Sequence, residues 1–230
     1  MLLQVIADGG PVYRETLMAT AGQLPVEPWN ALSSLALCVP AVYWFLCIKE
    51  NLTKAPVLLS CSVLLLLNGV GSTLFHAFRV SEWLLWMDVL PALLLNLVLA
   101  GYFWRVYLQD TKTWWLTMGG FLLLVLASRW ALQGSWYVNV QYLIRGLFLL
   151  LPAWGILQKT RFIAWRALAI AAFFLSLSLG FRLLDKITIE WLPMGTHFLW
   201  HLMSAVGAWF LGKYLLAVEH YWLHCRLEHG

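Results

Sequence analysis

Charged residues are scarce in this chain of 230 residues. Lys, Arg, Asp and Glu make up 11% of the sequence, whereas 62% of it is hydrophobic. Because an ordinary soluble domain carries roughly a quarter charged residues, this composition excludes a water-soluble globular protein. The formal net charge of +4 is small and is spread over the loops. We therefore expect no nucleic-acid partner, and the sequence indicates no obligatory protein partner.

Cysteine is also sparse, and the N-terminal segment lacks the pattern of a signal peptide. The cysteines show neither the close pairing of a disulfide framework nor that of a thiolate zinc site, so we interpret them as packing residues. The first 27 residues contain acidic side chains and Pro25 in place of a basic region followed by an apolar one. We predict that this segment is an extramembrane arm. The four cysteines are Cys38, Cys47, Cys61 and Cys225.

Long apolar runs, bounded by charged or Pro- and Gly-containing stretches, dominate the rest of the chain. A membrane-spanning helix needs about 20 mainly apolar residues, and these runs lack the period-two alternation of a membrane barrel. We predict an all-α integral membrane protein: a seven-transmembrane-helix bundle at residues 29–217, after an N-terminal arm at 1–28 and before a short tail at 218–230. The predicted spans are 29–48, 55–78, 83–104, 114–127, 136–157, 162–184 and 194–217.

The basic residues predict an orientation. Alternate loops carry nine Lys and Arg residues on one side and five on the other. Cytoplasmic loops are the more basic ones. We therefore expect a multi-pass membrane protein with a non-cytoplasmic N-terminus and a cytoplasmic C-terminus.

Several ionisable side chains lie within the predicted spans, where they are costly and indicate function by default. Ser72 and His76 end the second span, Asp88 begins the third, and His197 and His201 begin the seventh. Since successive helices reverse direction, all of these residues lie on the same side of the membrane. The four-residue spacing of His197 and His201 places both imidazoles on one helix face, where they could share a metal ion with His76.

Three protein ligands with an open fourth position are typical of a catalytic zinc. Zinc lowers the pKa of a bound water towards roughly 7 and polarises a carbonyl group. The position after the first histidine, a Glu in HExxH zinc proteases, is Phe198 here. Asp88 is therefore the candidate base. A lone histidine in a membrane more often has a structural role, but here three converge, and the others, in the C-terminal tail, are His220, His224 and His229.

Two further residues within the spans are candidates for roles near a substrate. Trp200 lies between the two histidines of the seventh span, and we expect it to border an acyl pocket. For the intramembrane Arg145, an ion pair with a buried carboxylate and contact with a substrate headgroup are both open.

Three blocks of sequence carry a resemblance to a known family. They are Glu27-Pro-Trp-Asn30-Ala-Leu-Ser33-Ser34, Ser72-x-x-x-His76 with Asp88, and His197-x-x-Trp200-His201. In order and spacing, over nearly the full length, they resemble the alkaline ceramidases, within the superfamily that includes adiponectin-receptor-like and Per1-like proteins.

The resemblance implies seven helices and a site for ceramide amide hydrolysis. Zinc would bind to His76, His197 and His201, Asp88 would bond to the zinc water, and Ser72 would stabilise that water or an oxyanion. Eukaryotic members also carry an acidic, tryptophan-containing calcium site in the arm. Because this arm lacks such a D-W-x-E run, calcium dependence stays open, and the chain looks more like a bacterial member, whose lipid substrate need not be ceramide. The scattered acidic residues of the arm are Asp8, Glu15 and Glu27.

These patterns together predict a zinc-dependent amidohydrolase of a ceramide-like membrane lipid, in a bacterial inner membrane rather than in the ER or Golgi. Asp88 would act as the base, Ser72 would stabilise the oxyanion, and Glu27, Asn30 and Ser33 would fasten the arm and first helix near the site. A receptor with a structural zinc and a proton- or metal-coupled transporter are the alternatives. The transporter has less support, since no repeated halves appear in the sequence.

Overall fold

The computed structural model describes residues 8–50, 52–132, 134–187 and 191–229. These residues confirm the all-α class. A 3-10 turn at Leu35–Leu37 joins α2 and α3 into one span. The helices are α1 (Arg14–Met18), α2 (Pro28–Ser34), α3 (Cys38–Ile48), α4 (Pro56–Phe78), α5 (Glu82–Leu108), α6 (Thr111–Ala131), α7 (Gly134–Lys159), α8 (Trp165–Leu184) and α9 (His197–His229).

Within the described ranges, six helical segments are long and apolar enough to cross a membrane, which indicates a multi-pass membrane protein. They are Pro28–Ile48, Pro56–Phe78, Glu82–Leu108, Tyr137–Lys159, Trp165–Leu184 and His197–Leu223. The run predicted at 114–127 lies in α6, which has 21 residues and a length of about 30 Å. Helix α6 is not among the six segments, so seven spans are not established. At the other end of the chain, α9 continues through most of the predicted tail.

The chain divides into two compact units. Unit 1 comprises Met1–Leu95 and Arg166–Gly230, and unit 2 comprises Asn96–Trp165. Within unit 1, α2 and α3 pack against α4 and α9. Within unit 2, α6 packs against α7. The Nε atom of Arg145 on α7 is buried without a hydrogen-bond partner, and among the described residues no carboxylate forms the ion pair considered for it.

Carboxylates from distant parts of the chain bind the first turns of three helices in unit 1. Glu15 accepts hydrogen bonds at the start of α2, Glu219 at the start of α4 and Asp185 at the start of α9, with N···O distances of 2.7 to 3.1 Å. First-turn N–H groups have no partner within their own helix, and these carboxylates supply one. The donors are Trp29 and Asn30 of α2, Val57 and Leu58 of α4, and Thr196 and His197 at the start of α9.

Helices α4 and α5 approach closely at Gly71, which brings Asp88 beside α4. A side chain at Gly71 would overlap the backbone carbonyl of Met87. One turn earlier on α4, the Asn68 amide donates to the carbonyl oxygen of Asp88 at 2.5 Å. A glycine is needed at position 71 because the neighbouring backbone occupies the space where a Cβ would lie.

Replacing Gly71 is therefore expected to destabilise the protein. Gly71→Val should lower the free energy of unfolding by about 1–3 kcal/mol or more, as overpacking does in cores, and should lower the thermal unfolding midpoint in detergent. Gly180→Ala is the matched control, because nothing lies within 4 Å of a Cβ at Gly180 in α8. A Gly71→Val protein as stable as wild type would contradict the close α4–α5 contact.

Candidate metal centre

Three buried histidines meet where α4 ends and α9 begins. His76 lies in the last turn of α4, and His197 and His201 lie in the first two turns of α9. Their relative exposures are 0%, 2% and 3%. The ring centroids lie 4.7 to 5.3 Å apart, and one nitrogen from each ring falls within 4.8 Å of the others. The structure thus brings together the three histidines that the sequence predicts.

Glu27 fixes the orientation of His76. Its Oε2 atom lies 2.5 Å from His76 Nδ1, and because an ionised carboxylate can only accept, Nδ1 carries the proton and Nε2 the lone pair. Burial by itself would raise the pKa of Glu27, but the hydrogen bond from His76 and the charge of Arg79 lower it to about 2. A carboxylate on the second nitrogen is the usual support of a metal-binding histidine.

Two serines of α2 orient His201. The Ser33 and Ser34 hydroxyls lie 2.9 and 3.2 Å from its Nδ1. Ser33 uses its only proton to donate a hydrogen bond to the carbonyl oxygen of Asn30 at 3.1 Å, so its oxygen accepts a hydrogen bond from the N–H at His201 Nδ1. This again leaves the lone pair on Nε2. Glu27, Asn30 and Ser33, predicted to fasten the arm and first helix, therefore contact the histidines or their partners directly.

The N-terminal arm covers His197. The Tyr13 ring stacks on the His197 ring with 3.8 Å between centroids and an interplanar angle of 21°. Tyr13 also lies 5.3 Å from the His76 ring. Asp185, in the α8–α9 connection, accepts a hydrogen bond from the backbone N–H of His197. The arm and this connection together restrict the position of the His197 side chain.

The unpaired nitrogens of the cluster are suited to a metal ion. His76 Nε2 and His197 Nδ1 are both buried without a hydrogen-bond partner. A buried polar atom left unpaired costs about 1–3 kcal/mol. Coordination of one ion would satisfy such atoms, and imidazole nitrogen is a good ligand for zinc, copper, iron and nickel. The geometry therefore supports a metal site and does not by itself identify the metal.

Asp88 lies beside the histidines without belonging to their cluster. No oxygen of Asp88 is among the ligand atoms that lie within 4.8 Å of one another. Ser72 forms a hydrogen bond to its carboxylate, and the Asn68 amide nitrogen lies 3.5 Å from its Oδ1. The Ser72 hydroxyl also lies 3.0 Å from that of Ser34. A serine pair thus links the carboxylate to the α2 segment that holds His201.

Trp200 lies beside His197 on α9. Its ring is nearly parallel to that of His197, with an interplanar angle of 9° and 6.5 Å between centroids. The guanidinium of Arg182 lies 5.3 Å from the Trp200 ring centroid. The predicted contact with an acyl chain stays a prediction.

The acidic residues of the arm bind different partners. Asp8 pairs with Arg79, Glu15 accepts from the α2 amides, and Glu27 contacts both His76 and Arg79. Among the described residues, only the three histidines are grouped closely enough to hold a metal ion. The structure therefore assigns each of these carboxylates a role within the fold.

The sequence patterns did not single out four residues near the site, namely Tyr13, Ser34, Arg79 and Asp185. Arg79 and Asp185 lie outside the apolar runs, beside helix ends, and look like ordinary loop charges. Their partners are distant in sequence: Arg79 binds Asp8, and Asp185 accepts from the Arg14 N–H. Only Ser34 stood inside a quoted motif.

No protein-family model matches this chain, and no curated protein matches it either.

The cluster is expected to bind one transition-metal ion per chain. Purified protein, dialysed with a divalent transition metal and analysed for metal content, should contain about one ion, because three imidazoles converge on one point. His197→Ala should lose the ion. His220→Ala is the matched control, since His220 is an exposed histidine on the same helix. Equal metal content in all three proteins would contradict the site.

Proposed function

We propose that this protein is a zinc-dependent hydrolase of the membrane, which cleaves the amide bond of ceramide or a related N-acyl lipid. The products are a fatty acid and a sphingoid-type amine. The observation that carries the proposal is the cluster of His76, His197 and His201, with the carboxylate of Asp88 outside the cluster and hydrogen-bonded to Ser72. The resemblance of the sequence blocks to alkaline ceramidases supports the lipid class.

The number of protein ligands in the cluster favours a catalytic role. Three neutral nitrogen ligands, two of them oriented through their second nitrogen, leave a coordination position for water in a tetrahedral site. A zinc that only pinned the helices would be expected to have four protein ligands. In the described part of the chain no fourth His, Cys, Asp or Glu joins the cluster.

Each residue of the site has its own role in the proposed reaction. Bound zinc would lower the pKa of water towards about 7 and polarise the acyl carbonyl. Asp88 takes a proton as the water oxygen bonds to the acyl carbon, and delivers it to the nitrogen as the C–N bond breaks. Once Asp88 has taken the proton, it no longer needs the hydrogen bond from Ser72, and the Ser72 hydroxyl, next to Asp88 and Ser34, donates to the developing oxyanion. Trp200 borders the acyl chain.

The proposed arrangement in the membrane has seven spans, with α6 as the fourth in chain order. The N-terminus is non-cytoplasmic and the C-terminus cytoplasmic, because the side with nine basic residues faces the cytoplasm. The metal centre then lies near the non-cytoplasmic face. A bacterial inner membrane is the proposed location.

Cysteine labelling tests whether α6 crosses the membrane. Lys112→Cys and Ala131→Cys lie at opposite ends of α6, and both native side chains are exposed. In a background without the native cysteines, an impermeant thiol reagent applied outside should label only Ala131→Cys. Equal labelling of both positions would contradict the crossing, and labelling of only Lys112→Cys would reverse the orientation.

Lipid hydrolysis tests the function itself. Wild-type protein, incubated with ceramides, N-acyl amino lipids and lysophospholipids, should release fatty acid from an N-acyl lipid, as measured by mass spectrometry. Asp88→Asn should keep its metal and lower the rate by about 10²–10⁴-fold, the usual contribution of a general acid–base group. His197→Ala should lose both metal and activity.

The possible outcomes separate the alternatives. Metal binding without hydrolysis of any lipid would favour a receptor with a structural zinc. Proton or ion flux in liposomes that changes in Asp88→Asn would favour a transporter. Loss of the metal from Asp88→Asn would make Asp88 a ligand and would contradict its proposed role as a base.

A further inference from the structure

Arg79 is a buried cation directly behind the metal centre. It follows α4 as its C-cap residue in a left-handed conformation, with φ of 50°, and is only 3% exposed. It lies three residues after His76, but its side chain contacts none of the three histidines among the interactions described. Its partners are instead two carboxylates.

The guanidinium joins the arm to the carboxylate that holds His76. Nε and Nη2 of Arg79 donate to the two oxygens of Asp8 at 2.5 and 3.1 Å, which is a bidentate pair. Nη1 donates to Oε1 of Glu27 at 2.5 Å. The second oxygen of Glu27 accepts from His76 Nδ1. A continuous chain of charged hydrogen bonds therefore runs from Asp8 through Arg79 and Glu27 to His76.

The surroundings of Arg79 restrict it to this geometry. Its guanidinium lies 4.6 Å from the centroid of the Phe75 ring and 5.9 Å from that of Tyr13. Its Nη1 also donates to the Thr16 hydroxyl at 3.2 Å, and that hydroxyl donates to Glu27 Oε1. A planar fork with five donors can hold two carboxylates and stack on rings at once, which the point charge of a lysine cannot reproduce.

We infer that Arg79 is a positioning residue of the metal centre: with Asp8, it holds Glu27 in the orientation that presents His76 Nε2 to the ion. This inference rests on the metal site of the proposed function and deepens it. The N-terminal arm then contributes to metal affinity through Asp8, although it supplies no ligand.

The physical reason is that the two carboxylate oxygens of Glu27 need separate hydrogen-bond donors. One oxygen must accept from His76 Nδ1, and the other is buried and needs a donor of its own. Arg79 and Thr16 supply this donor. When the donor is weakened, the buried carboxylate can turn towards other partners, and His76 loses the support that fixes its tautomer. Second-sphere partners of this kind typically contribute 10–100-fold to metal affinity.

Metal affinity and ligand-field spectra test the inference without any activity measurement. Arg79→Lys and Asp8→Asn are compared with wild type by competition for zinc with a chelator, and by the visible spectrum of the Co²⁺-substituted protein. Arg79→Lys should bind zinc roughly 10–100-fold more weakly and should show an altered Co²⁺ spectrum. Asp8→Asn should weaken binding in the same direction by a smaller factor.

Glu219→Gln is the matched control. Glu219 is also a buried carboxylate that supports α4, but it binds the N-terminal end of that helix, far from His76. Glu219→Gln should lower stability and leave zinc affinity and the Co²⁺ spectrum unchanged. If Glu219→Gln weakens zinc binding as much as Asp8→Asn does, the effect is general destabilisation and the inference is wrong.

Two further outcomes separate this inference from the proposed function. Wild-type protein that binds no metal contradicts the proposed site. Wild-type protein that binds zinc, with Asp8→Asn binding equally tightly, contradicts only the role of the arm. Asp8→Asn leaves Arg79 and every histidine contact in place, so it decides the question even if Arg79→Lys does not fold.

Discussion

The organisation of unit 1 depends on the pairing of backbone amides at helix ends with distant carboxylates. In a membrane protein, buried N–H groups in the first turn of a helix cannot form hydrogen bonds to water. Glu15, Asp185 and Glu219 supply acceptors for α2, α9 and α4. Helix α2 carries the serines that contact His201, and α4 and α9 carry the three histidines. Each carboxylate therefore fixes where one of these helices begins.

Two histidines of the metal centre are oriented through the same ring nitrogen. His76 and His201 each use Nδ1 for a partner on the segment 27–34, which leaves Nε2 for an ion. Glu27 immediately precedes α2, Ser33 lies six residues later near the end of that helix, and the two residues contact different histidines. The resemblance to alkaline ceramidases placed both residues in one motif, and the geometry gives a physical reason for that spacing. The helix turns between them, so one segment can contact both α4 and α9.

The sequence was sufficient to predict the helices and the three histidines, because long apolar runs and intramembrane ionisable residues are strong local signals. The predicted helix at 114–127 is present as α6, but its membrane crossing stays a prediction. The sequence was insufficient for the supporting residues. Arg79 and Asp185 act through partners 71 and 171 positions away, and no local pattern encodes such contacts. The assignment of Glu27 and Ser33 to fastening was too coarse, since only coordinates reveal which histidine nitrogen each one contacts.

The capping of α4 by Glu219 also has a consequence for the metal-free protein. Val57 and His76 are separated by 19 residues on α4, and His201 and Glu219 by 18 residues on α9, which at 1.5 Å per residue gives about 28 Å and about 27 Å. The two antiparallel helices thus match in length between their two points of attachment. The carboxylate joins the two helices at the end opposite the histidines. This attachment does not involve the ion, so α4 and α9 stay joined there in the metal-free protein as well.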